Sequence, residues 1–210
     1  MKEYKTGYYS RTSSFSQFGE DIAINKILVA NKGTYLDIGC GRPVSGSNSW
    51  LLYKKGWSGI CVDPLSENFF LHRVLRPRDS FIQGLIGKTE NSVDFYETYP
   101  YEYSTTNETV IDDLITSGKA KILKKHSIKM TTLDFLLENI KNLDLLTIDA
   151  EGMDYEILNS WDFKKIRPEV ICIEDHDFKH QNSKINDILK FQNYMLEKEL
   201  HPSYIYKDKH

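Results

Sequence analysis

Apolar positions along this 210-residue chain follow two spacings in turn. Short β-branched runs recur between stretches whose apolar residues fall three and four apart, the patterns of buried strands and amphipathic helices. Ile22, Ile24, Ile27 and Leu28 mark a helix over residues 21–30. A buried strand is expected over 34–38, ending at Gly39. A helix over 49–55 follows, and Gly56 suits its end. The second strand covers 59–62 and is closed by Asp63 and Pro64. A helix over 67–75 is stopped by Pro77, and a third strand spans 81–86.

Residues 91–125 carry a weaker pattern. Within them 93–96 reads as a short strand and 99–107 as an aromatic, hydroxyl-rich loop; an edge strand follows at 128–130. The pattern then sharpens into a helix over 132–139, capped by Thr131 or Thr132, and a buried strand over 143–148 leading into Asp149. A short helix at 155–159 precedes a strand at 170–173, which runs into Glu174 and Asp175. Residues 184–200 read as one amphipathic helix and 204–206 as a last short strand. Five firm strands alternating with helices predict the α/β class, a doubly wound, mostly parallel sheet with helices on both faces. The chain is read as one domain over 1–210. Residues 1–30 form an N-terminal helical segment packed on the core, and 184–210 a C-terminal helix and strand.

Composition narrows the partners. The chain is 40% hydrophobic and 27% charged, ordinary for a soluble globular protein. Its formal charge of -3 argues against broad nucleic-acid binding, which needs a basic surface. No apolar run approaches the roughly 20 residues of a membrane span, and the polar, tyrosine-rich start lacks a signal core. A cytoplasmic protein with no membrane span and no nucleic-acid partner is expected; a homo-oligomer is compatible with all of this. Cys40, Cys61 and Cys172 are too few and too scattered for a disulfide framework. Abundant Lys, Asn and Ile suggest a bacterial, AT-rich coding sequence.

In open parallel sheets ligands bind beyond the carboxyl ends of the strands. Here those ends are polar: Asp37 with Gly39, Asp63, Asp149 with Glu151, and Glu174 with Asp175. Gly39-Cys40-Gly41 lacks the third glycine of the dinucleotide fingerprint, so a pyrophosphate cradle is disfavoured. Asp37, two residues before Gly39, can meet the cationic amino acid end of S-adenosylmethionine, directly or through water. Asp63 can accept hydrogen bonds from a ribose diol. Each residue alone is equally a turn glycine or a helix-capping acid; their joint order favours the cofactor.

The order of motifs resembles the FkbM-type methyltransferase family. The matching pieces run from Ser16-Gln17-Phe18-Gly19-Glu20-Asp21 through Tyr35-Leu36-Asp37-Ile38-Gly39 to Gly56-Trp57-Ser58-Gly59-Ile60-Cys61-Val62-Asp63-Pro64. They continue with Ser104-Thr105, Thr132-Leu133-Asp134, Ile148-Asp149-Ala150-Glu151-Gly152, Arg167-Pro168 and Ile173-Glu174. The resemblance spans about residues 14–176. It implies a Rossmann-like class I methyltransferase fold and S-adenosylmethionine as donor. Many relatives are associated with O-methylation of sugars in glycans or antibiotics, which makes polysaccharide biosynthesis the expected setting. It also places the segment around Gln17 over the cofactor, although Ser16 or Gln17 ahead of Glu20 can equally be a capping box. The expected cofactor contacts are Gln17, Asp37, Gly39, Cys40, Gly41, Asp63 and Ser104. In one respect the chain departs from the class: only one short strand, 203–206, is left for the antiparallel hairpin that usually closes the sheet. Either the last strand is absent or the chain is truncated.

A sugar hydroxyl is a poor nucleophile, so its proton must be removed or its alkoxide stabilised by a metal. Asp149, Glu151, Glu174 and Asp175 should converge, and such a cluster needs a cation or protons to offset repulsion. Hard oxygen ligands suit Mg2+, Mn2+ or calcium. The arrangement is similar to metal-dependent sugar O-methyltransferases. By that similarity Glu151, Glu174 and Asp175 hold Mg2+ or Mn2+, which chelates a sugar or nucleotide-sugar, and Asp149 is the base or a further ligand. His176 is the rival base. The plainer alternative has Glu151 and Glu174 capping helices or pairing with Arg167 or lysines. A metal-free transfer to an amine, carboxylate or other metabolite is the competing activity. Cys172, His176 and His180 share a four-residue spacing, but with no second cysteine beside them a zinc site there is disfavoured. Arg73, Arg76 and Arg78 read as a solvated helix end or as phosphate contacts. Tyr99, Tyr101 and Tyr103 can stack on a sugar ring or cover the core.

Overall fold

The computed structural model describes residues 14–138, 140–177 and 182–210. Its strands are β1 (Thr34–Ile38), β2 (Ser58–Asp63), β3 (Ser80–Gln83), β4 (Leu85–Ile86), β5 (Asn91–Tyr99), β6 (Lys121–Thr131), β7 (Leu145–Ile148), β8 (Val170–Glu174), β9 (Tyr194–Leu200) and β10 (Ser203–Asp208). Its α-helices are α1 (Glu20–Ile27), α2 (Trp50–Lys54), α3 (Ser66–Leu75), α4 (Glu108–Thr116), α5 (Leu133–Leu137), α6 (Asp154–Asn159) and α7 (Lys184–Phe191). Seven strands form one sheet in the order β3-β2-β1-β7-β8-β10-β9, and three form a second in the order β4-β6-β5.

The large sheet is the doubly wound α/β sheet expected. Its first five strands in spatial order are parallel, and β10 and β9 close it as an antiparallel hairpin. Alternation along each strand builds a core on both faces. Leu36, Ile38, Leu146, Ile148, Ile171 and Ile173 enter one cluster. Tyr35, Cys61, Leu145, Val170 and Cys172 enter the other. The second face also takes Asp37 and Thr147, which sit opposite each other in register. Thr147 Oγ1 donates to Asp37 there, and Ser49 Oγ donates to its other oxygen.

A buried cation organises this second face. Arg76 is 1% exposed. Its Nε donates to Asp79 at 2.7 Å, Nη2 to the Tyr35 hydroxyl and to Ser49 Oγ at 2.8 Å each, and Nη1 to Ser47 Oγ at 3.2 Å. Asp79 in turn accepts from Tyr35 and from the Gly59 amide at 2.9 Å. Burial and its neighbouring anions push the Tyr35 phenol well above its usual range, so it stays a donor. The expectation of a solvated arginine or a phosphate contact fails at Arg76, whose donors are consumed inside the fold. Arg78 also turns inward, donating to the Tyr53 carbonyl and stacking on that ring at 3.8 Å.

Three element assignments differ from the sequence reading. The strand expected over 81–86 is two strands, because the chain changes sheets at Gly84. The weakly patterned stretch holds a long β5–β6 hairpin with α4 between its strands. The helix expected over 184–200 stops at Phe191; Asn193 takes a left-handed φ of 67°, and β9 follows. Ile185 and Leu189 keep the helical spacing, whereas Tyr194, Leu196 and Leu200 keep the two-residue spacing. The closing hairpin is therefore present. Near the N-terminus α1 has Gly19 as its cap with no side-chain bond. Ser16 instead donates to Asp21 at 2.9 Å, and Glu20 accepts from Ser203 of β10 at 2.9 Å.

Replacing Arg76 with methionine strands Asp79 and Asp37 without their buried counter-charge. We expect a loss of about 3–5 kcal/mol, read as a fall in the denaturant midpoint; an unchanged midpoint would refute the structural role of Arg76.

Candidate functional site

The carboxyl ends of β2, β1 and β7 open onto one cavity of about 750 Å³. Gly39 and Gly41 form its floor with Cys40, Asp63 stands at one side, and Asp149 and Glu151 at the other. The second sheet roofs it through Leu85, Ile86 and Phe95, and the turn after β5 through Tyr101 and Ser104.

Gly39 is dictated by the neighbouring strand. Its φ is 72°, and a Cβ there would lie 1.7 Å from the Asp149 carbonyl oxygen. The Asp149 amide donates to Ile38 O at 3.0 Å, and Gly39 N donates to Val62 O at 2.9 Å. The turn is thus stitched to β7 on one side and β2 on the other. Gly41, with φ of 55° and open space beside it, lets its amide reach Asp63 Oδ2 at 2.9 Å. Asp63 also accepts from the Leu65 amide at 2.9 Å and from Asn68 Nδ2 at 2.8 Å. Burial raises its carboxyl pKa, opposed by these donors.

Asp149 and Glu174 meet at the ends of adjacent strands and share a hydrogen bond. Burial, then the Glu174 charge, lifts Asp149 well above the usual carboxylate range. Burial, then Asp154, lifts Glu174. The pair therefore retains a proton at pH values where ordinary carboxylates have lost theirs. His176, 60% exposed at its side chain, lies 3.3 Å from Glu174. Asp154 accepts from the Ala150 and Gly152 amides at 2.9 and 3.1 Å and so shapes the loop that carries Glu151.

The structure separates the other expected site residues. Asp37 lies beneath the floor rather than in the cavity wall, with both oxygens engaged by Ser49 and Thr147. Gln17 is exposed and is not among the residues lining the cavity. Ser104 lines it, its hydroxyl also accepting from the Thr98 amide at 3.1 Å. Asp175 is buried near Tyr204 and Tyr206 of the closing hairpin, accepting from the Asp177 amide at 3.0 Å. Glu151, Glu174 and Asp175 do not gather as three ligands within 4.8 Å of one another; among the described residues only Cys40, Cys61 and His72 do so. In this structure Glu151, Glu174 and Asp175 are thus not drawn together as one ligand set. Arg167 pairs with Asp208 at 2.7 Å, not with the acidic cluster. Cys172 is buried within β8, and His180 lies outside the described residues.

Glu67, Tyr101, Glu156 and Arg42 line the cavity and were not singled out as site residues, Tyr101 being read only as one of three ambiguous tyrosines. Glu67 and Glu156 begin at helical positions that look like ordinary exposed acids. Only the roof, absent from the strand pattern, reveals that they face a cavity.

A seven-stranded, mostly parallel sheet with a cavity over the carboxyl ends of its central strands is the architecture of Rossmann-like S-adenosylmethionine-dependent methyltransferases. The chain belongs to the FkbM methyltransferase family: the Methyltransferase FkbM domain matches residues 29–196. Methyltransferase FkbM from Methylobacillus flagellatus KT superposes on 96% of this chain with a TM-score of 0.54 at 12% identity. The chain spans 50% of the length of that structure. Precorrin-6y C5,15-methyltransferase from Geobacter metallireducens GS-15 aligns at 12% identity and TM-score 0.47, over 90% of this chain and 87% of its own. A TehB-like SAM-dependent methyltransferase from Corynebacterium glutamicum ATCC 13032 Kitasato aligns at 13% identity and TM-score 0.45, over 97% and 94%. No curated protein matches the sequence. Among the described residues no helix is long and apolar enough to cross a membrane.

The proton retained by Asp149 and Glu174 has a consequence for stability. The folded chain binds protons that the unfolded chain releases near pH 4, so this pair favours folding at low pH. That contribution declines as pH rises from about 4 through the raised pKa values. The double variant Asp149→Asn, Glu174→Gln should show a shallower decline in unfolding free energy over this range than the parent. Equal slopes in denaturant titrations would argue that the two carboxyls titrate normally.

Proposed function

We propose that this chain is an S-adenosylmethionine-dependent O-methyltransferase acting on a sugar hydroxyl, carried by a nucleotide-sugar or a surface-glycan precursor. The observation that carries this reading is the convergence of the Gly39–Gly41 turn, Asp63 and Asp149 from three strands around one cavity. A carboxylate offers about four acceptor sites. Three donors already occupy Asp63, which leaves room for one ribose hydroxyl. Gly39, Cys40 and Gly41 let the donor approach the backbone closely, and Ser104 faces it from the roof. Asp37 acts from below as a positioning residue, holding the strand that carries the turn. Gln17 is a contact only through a shift of its exposed segment.

The polar wall favours a polyol. Glu67, Glu151 and Glu156 offer acceptors for several hydroxyls, and Tyr101 offers a ring face. The same three acids repel a carboxylate acceptor, whereas Arg42 can meet the phosphate of a nucleotide-sugar. Methyl transfer carries CH3 from the donor sulfur to the acceptor oxygen, in line, and the hydroxyl proton must leave. Of the pair Asp149 holds the proton, donating it to Glu174; it serves as the base in the ionised form reached once that proton has passed through Glu174. The raised pKa strengthens it as a base, and exposed His176 beside Glu174 relays the proton to solvent. The chemistry calls on no metal step.

Turnover is read as S-adenosylhomocysteine released with nucleotide-sugars, compared with amines and carboxylic acids. Release with sugars is expected, and turnover confined to an amine or carboxylic acid would overturn the acceptor class. Asp149→Asn should lower kcat by about 100-fold or more with donor affinity nearly unchanged; near-normal kcat removes Asp149 as base. Asp63→Ala should weaken donor binding by about 10-fold or more in calorimetry, and an unaltered Kd would disprove its ribose contact.

A further inference from the structure

The side chains of Cys40, Cys61 and His72 take no part in the chemistry above, which uses only the backbone of Cys40. Cys40 belongs to the glycine turn, Cys61 to β2 and His72 to α3, so they are distant in sequence and meet only through the fold. All three are buried, and one ligand atom from each lies within 4.8 Å of the others. Cys40 Sγ is 3.6 Å from His72 Nε2. In a tetrahedral zinc site with Zn–S of about 2.3 Å and Zn–N of about 2.0–2.1 Å, a sulfur and a nitrogen are held about 3.6 Å apart. Cys40 and Cys61 are also in hydrogen-bonding contact.

We infer that Cys40, Cys61 and His72 form a binding site for a borderline-soft divalent cation, Zn2+, under the glycine turn. The set is soft thiolate plus imidazole, which selects zinc over magnesium or calcium. Burial and Arg76 lower the His72 pKa, so the ring is neutral and able to ligate. Its Nδ1 is buried without a hydrogen-bond partner. Nε2 now donates to Gly41 O at 3.1 Å; with no partner holding Nδ1, the ring proton can move to Nδ1 and leave the Nε2 lone pair to a cation beside the sulfurs. Burial opposes thiolate formation at Cys40, but a coordinated cation deprotonates a thiol outright. Both thiol protons pass to solvent on binding, so uptake releases two protons and strengthens as pH rises. Asp37, Asp63 and Asp79 add negative potential around the three ligands, partly offset by Arg76. Cys40 also lines the cavity, through which an ion, and a solvent ligand for its fourth position, would enter. An ion here would clamp the turn to β2 and α3, and so couple metal occupancy to the cavity floor.

The test is Co2+ titration of the purified, reduced, metal-free chain, followed by competition with Zn2+. We expect one equivalent of Co2+ to produce thiolate-to-cobalt charge-transfer absorption and tetrahedral ligand-field bands, both erased by Zn2+. Cys40→Ser, Cys61→Ser and His72→Gln should each weaken the Kd by at least about 10-fold, the loss that even an outer-shell partner brings. Cys172→Ser should leave the spectrum intact and serves as the folded control. Absence of charge-transfer bands in the parent, or bands that survive Cys40→Ser and Cys61→Ser together, overturns the site. Because the readout is optical and needs no methyl acceptor, its failure is distinguishable from failure of the proposed transferase reaction.

Discussion

A buried guanidinium with every nitrogen engaged underlies this site. Arg76 carries a charge that cannot reach water, and an uncompensated charge in that position would cost several kcal/mol. It is satisfied by Asp79, Tyr35, Ser47 and Ser49. Ser49 passes the constraint to Asp37, and Asp37 passes it to Thr147 on the neighbouring strand. The chain of bonds joins α3, the segment after the glycine turn, β1 and β7. These are the elements whose ends form the cavity floor, so the polar layer beneath the sheet's edge sets the position of the turn above it.

The acidic rim obeys the same electrostatic logic with a different counter-ion. Carboxylates brought to adjacent strand ends need either a cation or a proton. At Asp149 and Glu174 the fold supplies a proton, because burial makes the charged forms costly. Strand geometry explains why Glu174 and Asp175 do not face one site. Asp175 follows Glu174 directly but lies among the tyrosines of the closing hairpin, and consecutive residues of an extended chain point to opposite faces. A doublet of acids in sequence is thus a poor chelate unless a turn intervenes.

The second sheet turns a surface edge into a cavity. Its strand β5 and the turn that follows it bring Phe95, Tyr101 and Ser104 over the carboxyl ends of β1, β2 and β7. In sequence this region looked irregular because only part of each strand is buried: β6 buries Ile128, Met130 and Thr131 and exposes most of its lysine-rich length. Hydrophobic alternation is a weak signal where one face and one end of a hairpin stand in solvent. The same limit produced the long helix expected over 184–200, where two periods run together across Asn193.

The sequence by itself determined the large sheet's parallel strands, the glycine turn after β1 and the acids at the strand ends. These rest on local spacing, on the length of buried apolar runs and on glycine's access to positive φ, and each is written within a few residues. It also determined the family, through the order of its motifs. The tertiary structure alone decided which acids face the cavity, that Asp37 and Arg76 bond to the framework, and that Cys40, Cys61 and His72 touch. Those outcomes depend on register between strands far apart in the chain and on which side of each strand is buried. A one-residue shift in pairing would reverse them while leaving every local pattern the same.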